Sequence, residues 1–186
     1  MLELDQIVHT LQRGGIIIYP TETIWGLGCD ATSGKSVEKL HSVKKRPSTR
    51  PFTVLVNSLE MLHEYVVEVH PRLETLLLYH QRPLTVIYNQ VRSLPKVLRS
   101  DRQSVAIRMT LDPFCSSVID AFGKPIIATS ANISEQPFPA NFHQIDYQLL
   151  QQVDYVVKHK QESLSRQDPS VVVRMSDKAE LEFLRT

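Results

Sequence analysis

Apolar side chains along this chain recur at two different periods, and the changes of period divide it into elements. Leu4, Ile7, Val8 and Leu11 sit three and four residues apart, which predicts an amphipathic helix, and Gly14–Gly15 ends it. "IIIY" follows without a polar interruption and reads as a buried strand. Helical spacing returns from about Ser36 to Lys45, with Val37, Leu40 and His41 on the inward side. "FTVLV" predicts a strand, and "SLEMLHEYV" a helix with Ser58 at its N-cap. Pro71 opens another helical pattern with Leu73, Leu76 and Leu77 facing inward. "DPFCSSVIDAFG" reads as a helix closed by Gly123. "LTVIY", "SVAIRM", "PIIATS", "VDYVV", "SVVVRM" and "LEFLR" are strand candidates, several rich in β-branched residues. Strands and helices alternate irregularly, which predicts an α/β fold with a sheet of mixed direction.

At 186 residues, with no repeat, low-complexity tract or long polar linker, the chain reads as a single domain over 1–186. Its hydrophobic fraction of 42% and charged fraction of 22% are ordinary for a globular protein. No apolar run approaches the ~20 residues of a membrane span, so no membrane partner is expected. Cys29 and Cys115 lie far apart with no signal sequence ahead of them, which predicts a reduced, cytoplasmic protein. The seven histidines show no paired-ligand spacing, so no protein-built metal site is expected.

Net charge is only +1, yet positive charge is bunched. Lys35, Lys39, Lys44, Lys45, Arg46 and Arg50 face only Glu38 in their segment, and Arg92, Lys96, Arg99, Arg102 and Arg108 face only Asp101 in theirs. Such bunching suits an anionic ligand and equally suits solvated helix faces. Three stretches carry candidate chemistry. "GCDATSGKS" approaches the phosphate-binding pattern GxxxxGK[ST], but five residues separate Gly28 from Gly34 where the loop needs four. "VKKRPSTRPF" sets Lys44 and Arg46 at a helix end stopped by Pro47, where cations can grip a polyphosphate or simply complement the helix dipole. "PIIATSANIS" delivers Thr129, Ser130 and Asn132 beyond the carboxyl end of a strand, the usual ligand position of open α/β sheets and also an ordinary cap. No GxSxG elbow supports serine catalysis.

In this order, "YPTETIWGLG", "VKKRP", "RPLTVIY", "SVAIRM", "TSANIS" and "DPSVVV" resemble the YrdC-like family, which includes L-threonylcarbamoyladenylate synthases of tRNA modification. The resemblance runs from about Gly14 to Arg185, and it implies a core domain alone, without the additional C-terminal domain expected of longer relatives. It implies a single-domain α/β fold, a twisted mixed β-sheet with flanking helices around a large basic cavity. The implied reaction converts L-threonine, bicarbonate (or CO2) and ATP to threonylcarbamoyl-AMP and pyrophosphate. Mg²⁺ would travel with ATP, and a separate threonylcarbamoyl transferase complex would pass the product to tRNA.

Carried onto this sequence, the resemblance sets Thr21, Thr23, Arg108, Thr129 and Ser170 around threonine. Lys44 and Arg46, with Arg50 nearby, would face the triphosphate, and the first two would stabilise the charge that builds there. Thr85, Ser130, Asn132 and Arg185 would hold the nucleotide. Gly26 and Gly28 would let the backbone turn away after the first strand. Four departures stand out: "HQRPLT" in place of a PGPxT-type loop, Val171 in place of a threonine after Ser170, Glu135 in place of the glycine after "SANIS", and Trp25 in place of a tyrosine. The altered loops motivate an alternative, a non-catalytic paralogue that binds RNA or nucleotide. A P-loop-like NTPase, resting on "SGKS", is a more distant one.

Overall fold

The protein is described by a computed structural model that covers residues 2–100, 103–162, 169–176 and 178–186. Asp101 and Arg102 of the second basic segment, and Asp168 of "DPSVVV", lie outside the described residues. In chain order the elements are α1 (Glu3–Gln12), β1 (Ile17–Tyr19), β2 (Gly26–Gly28), α2 (Gly34–Lys44), β3 (Thr53–Val56), α3 (Leu59–Tyr65), α4 (Pro71–Tyr79) and β4 (Leu84–Tyr88). They continue with β5 (Val105–Met109), α5 (Pro113–Phe122), β6 (Ile126–Ser130), α6 (Tyr147–Leu150), β7 (Tyr155–Val156), β8 (Val171–Met175) and β9 (Leu181–Arg185). The described strands join one sheet of nine in the order β7-β1-β2-β6-β3-β5-β4-β8-β9. Parallel pairs (β1–β7, β3–β5, β4–β8) mix with antiparallel ones, as the irregular alternation predicts. No helix among the described residues is long and apolar enough to cross a membrane.

The helix ends follow the chemistry of their residues. Ser58 Oγ accepts from the Met61 amide at 3.1 Å, and Asp112 Oδ1 accepts from the Cys115 amide at 3.0 Å. Gly123 closes α5 at φ +74°, a left-handed position that costs a side-chain-bearing residue about 1 kcal/mol. Lys45 takes the same kind of position at φ +49° and ends α2 one residue after Lys44.

Strand alternation then sorts the core into two faces. Ile17 and Tyr19, Leu55, and Ile126 and Ala128 pack with α1 and α5 on one face. Ile16 and Ile18, Val54 and Val56, Ile107 and Ile127 pack on the other, with Leu27, Val37 and Leu40. On the first face α1 and α5 cover only part of the sheet, and the uncovered part becomes the floor of a cavity.

One strand was invisible to periodicity. The Gly26–Gly28 segment does not turn away: it pairs antiparallel with β1 on one side and β6 on the other. Leu27 points into the second core, while the two glycines lie on the cavity face. A Cβ at Gly28 would stand 2.7 Å from Tyr19 Cε1 and 2.8 Å from the Ile127 carbonyl oxygen, so the Tyr19 ring occupies the space a side chain would need. Glycine is required there by close approach rather than by a positive φ.

Candidate functional site

The cavity encloses about 500 Å³, a size that accommodates small-molecule ligands. Its floor is the exposed end of the first sheet face: Gly26 of β2, Ala128 and Ser130 of β6, Thr53 of β3 and Arg108 of β5. Register brings these together, since Gly26 pairs with Ser130 and Thr53 pairs with both Ala128 and Ala106. Loops supply the walls: Thr21, Thr23 and Ile24 after β1, Arg46, Pro51 and Phe52 after α2, Phe138, and Pro169–Ser170 with Arg185. Three arginines line the cavity and no carboxylate among the described residues does, so an anion is favoured inside.

The Thr21–Thr23 turn is a chain of hydroxyls with one direction. Thr21 Oγ1 donates to the Ile24 carbonyl at 2.8 Å and accepts from the amides of Thr23 and Ile24. With its single proton so committed, Thr21 must accept from Thr23 Oγ1 at 3.0 Å. Thr23 Oγ1 in turn accepts from Arg108 Nη1 at 3.4 Å, so this wall is preorganised before any ligand arrives. Behind it Arg108 Nε lies 3.1 Å from Glu22 Oε1, an ion pair with both side chains under a tenth exposed. Sequence reasoning passed over Glu22. The signal was available: an arginine inside the apolar strand "VAIRM" requires a buried counter-charge.

Arg46 is held by its surroundings rather than by a carboxylate. Its Nε donates to the Arg50 carbonyl at 2.7 Å, its Nη2 to the Pro51 carbonyl at 3.1 Å, and its guanidinium lies 5.2 Å from the Phe52 ring centroid. His41 stacks on Phe52 at 4.2 Å. His41 Nδ1 lies 3.1 Å from the Arg46 carbonyl, which can only accept, so Nδ1 carries the proton. Burial lowers the His41 pKa and keeps the ring neutral.

Lys44 is placed otherwise than the resemblance implies. It is fully buried and does not line the cavity. Its Nζ donates to the Ser130 carbonyl at 2.5 Å, the Asn132 carbonyl at 2.7 Å and Asn132 Oδ1 at 3.2 Å. Burial pulls its pKa down to about 7, with Arg46 adding to the effect. The Ser134 amide donates to the Lys44 carbonyl at 2.9 Å, so α2 clamps the "SAN" segment at both ends of one residue. Asn132 is part of this clamp: it accepts from Ser130 Oγ at 2.5 Å and donates to the Gln136 carbonyl at 2.6 Å.

Thr85 is also set back, bonded to Ser170 Oγ at 2.9 Å beneath the wall. Ser170 in turn accepts from Arg185 through its carbonyl (2.8 Å) and its hydroxyl (3.0 Å). Arg50 is exposed and pairs with Glu135 at 3.5 Å on the surface, outside the cavity. Of the twelve positions proposed from sequence, the cavity therefore gathers Thr21, Thr23, Arg46, Arg108, Thr129, Ser130, Ser170 and Arg185. Lys44, Thr85 and Asn132 support it from behind.

Three of the four departures from the family pattern have a definite place in the structure. Trp25 alternates with Gly26 and so points away from the cavity, against Phe142 at 4.9 Å in the second core. Glu135 takes φ +72°, the left-handed position at which a glycine would be free, and Arg50 is its ion partner. Val171 is buried in the second core, on a strand paired with β4 and β9. The "SGKS" stretch builds no phosphate loop. Asp30 Oδ1 accepts from the Thr32 amide and hydroxyl, Ser33 Oγ accepts from Ser36, and none of these residues lines the cavity. Burial pushes the thiols of Cys29 and Cys115 up, so neither is an activated nucleophile.

Fold and cavity together define an α/β protein with a preorganised pocket for an anionic ligand that also bears hydrogen-bonding groups. Residues 9–186 match the Sua5/YciO/YrdC family, described as "Telomere recombination". The chain belongs to that family. It is 31% identical over 170 residues to the threonylcarbamoyl-AMP synthase of Xanthomonas campestris pv. campestris (strain B100), covering 90% of this chain and 91% of that one. A second relative of the same name, from Xanthomonas euvesicatoria pv. vesicatoria (strain 85-10), is 33% identical over 84% of this chain and 85% of its own. Among solved structures, P. abyssi Sua5 complexed with L-threonine superimposes with a TM-score of 0.86 at 24% identity. That match takes in all of this chain but only 54% of the other. E. coli YciO superimposes with a TM-score of 0.80 at 22% identity, over 98% of this chain and 87% of that one. At these identities the two structures speak for the fold.

Proposed function

We infer that this chain is a threonylcarbamoyl-AMP synthase, a nucleotidyltransferase that forms threonylcarbamoyl-AMP and pyrophosphate from L-threonine, bicarbonate and ATP. The observation that carries this reading is one cavity in which a directed row of hydroxyls and Arg108 stands beside Arg46 and Arg185, with no carboxylate in the lining among the described residues. Relatives at 31–33% identity bearing that name support it.

The threonine amine attacks the bicarbonate carbon, forming the N–C bond of the carbamate with loss of water, and the carbamate oxygen then attacks the α-phosphorus as the bond to pyrophosphate breaks. Such a displacement needs positioning and charge neutralisation more than a protein nucleophile. Arg46 offers its guanidinium to the phosphates and stays a cation throughout. Ser130 Oγ, whose proton is on Asn132, presents an acceptor to the nucleotide, the Arg185–Ser170 pair presents donors, and Lys44 serves by holding Ser130 and Asn132 in place. Thr21 and Thr23 present hydroxyls to the amino acid, whose carboxylate pairs with Arg108. No cluster of three metal-ligating side chains occurs among the described residues. Among the described residues the lining provides hydroxyls but no carboxylate. In this proposal Mg²⁺ therefore arrives on ATP, neutralising phosphate charge. tRNA and a threonylcarbamoyl transferase complex take the product onward.

The test is purified protein with ATP, bicarbonate and L-threonine, scored for pyrophosphate. Threonine-dependent release is expected. Threonine-independent ADP formation would point to an NTPase instead, and absence of turnover with salt-sensitive RNA binding would point to a non-catalytic paralogue.

A further inference from the structure

The arginines of the cavity are compensated unequally. Arg46 gives its bonded N–H groups to carbonyls, which leave its full charge facing inward. Arg108 instead has its Nε edge against the buried carboxylate of Glu22. Glu22 is itself fixed: its Oε2 accepts from Thr110 Oγ1 at 3.1 Å, and Thr110 Oγ1 accepts from the Asp112 amide at 3.2 Å. The Nε edge meets Glu22 as an ion-pair contact rather than an aligned hydrogen bond, and Nη1 donates to Thr23, so two neighbours bear on the guanidinium where it lines the cavity.

We propose that Glu22 is a specificity-determining residue: by neutralising and orienting Arg108, it makes that end of the cavity a subsite for the single carboxylate of a zwitterionic amino acid and discourages phosphate there. The proposal rests on the synthase reading above. Its physical basis is that a polyphosphate gains most from an uncompensated cation. An amino acid brings its own ammonium group, which a bare arginine repels and a neutralised one does not. A fixed guanidinium edge still gives a carboxylate two aligned donors. One cavity can thus sort two anions by charge, with the triphosphate drawn toward Arg46.

The test variant is Glu22→Gln, which keeps the shape and removes the charge. The KM for L-threonine should rise about tenfold or more while the KM for ATP changes by less than about threefold, a split expected when one close charge partner is lost. Inorganic phosphate should become a markedly stronger competitor of threonine, a gain that general loosening would not produce. In the Arg108→Met background, Glu22→Gln should add little, because Glu22 acts through Arg108. Glu22→Asp should recover part of the threonine affinity. Thr110→Val, which frees one carboxylate oxygen without removing charge, should shift the same KM in the same direction by less. Equal rises in both KM values, unchanged phosphate competition, or full additivity with Arg108→Met would each overturn the proposal.

The same contrasts are measured by calorimetry of L-threonine and of inorganic phosphate binding to each folded variant. That arm decides the matter even for a protein without turnover. Wild-type protein that binds threonine but releases no pyrophosphate would refute the synthase reading and leave the Glu22 inference standing on its own binding data.

Discussion

Lys44→Met isolates the cation that the fold has turned inward. Methionine keeps the apolar length of the side chain, so the burial of its stem is preserved and only the ammonium is removed. What remains is the Ser130 carbonyl, the Asn132 carbonyl and Asn132 Oδ1 gathered around a point with no donor. An unsatisfied buried polar group costs about 1–3 kcal/mol, and removing one partner of a buried charged cluster about 3–5 kcal/mol. Relief of the ammonium's own desolvation, visible in a pKa lowered to about 7, favours the low end of that range. A loss of about 3 kcal/mol corresponds to roughly 6–12 °C in Tm for a chain of this size.

The pH dependence has a definite sign. The folded-state pKa lies below the ordinary value of 10.5, so between pH 7 and 10.5 the unfolded chain binds the extra proton. Wild-type stability relative to the variant should therefore grow as pH rises through that window. Differential scanning calorimetry of both proteins at several pH values reads both effects, and ATP titration reads the consequence for the "SAN" wall. A Tm within about 2 °C of wild type, together with lost ATP affinity, would refute the clamp and return Lys44 to direct contact with the phosphates.

Three other outcomes follow from the same structure. Gly28→Ala should destabilise by about 1–3 kcal/mol, because its Cβ would meet the Tyr19 ring and the Ile127 carbonyl; urea unfolding measures it, and a neutral result would mean the β1–β2–β6 contact is looser than drawn. Trp25→Phe should lower stability by about 1 kcal/mol through its contact with Phe142, with the KM for threonine unchanged; a shifted KM would place the ring at the cavity after all. His41 should make the protein acid-sensitive. Its folded pKa is lowered, so stability is lost as pH falls below the ordinary value of 6.5, and its buried Nε2 has no acceptor once protonated. A His41→Phe variant should show a flatter profile across that window in pH-dependent thermal melts.

Much of the fold was legible because its signals are local. β-branched runs mark the longer strands, and Ser58, Asp112 and Gly123 state where helices begin or end by hydrogen bonds and φ values that involve only neighbours. β2 was not legible, since "GLG" has one apolar side chain and two residues with the poorest strand propensity. It is a strand because Tyr19 and the Ile127 carbonyl need the space that only glycine leaves. The short turns at Lys96–Leu98 and Phe142–Gln144 escaped for the similar reason that they rest on long-range packing.

The candidate site divides in the same way. By itself the sequence determined which residue types gather in the cavity: hydroxyls after β1 and at the end of β6, and cations after α2 and within β5. Motif order alone carried that. Only the tertiary structure decided which way each side chain faces. A one-residue step along a strand reverses its face, which sends Trp25 into the core beside Gly26 in the cavity. The left-handed turn at Lys45 separates Lys44, buried under "SAN", from Arg46, held over Phe52 in the wall. Glu22 acquires its meaning from Arg108, 86 positions along the chain, because register between distant strands, rather than spacing within a motif, sets which charges meet.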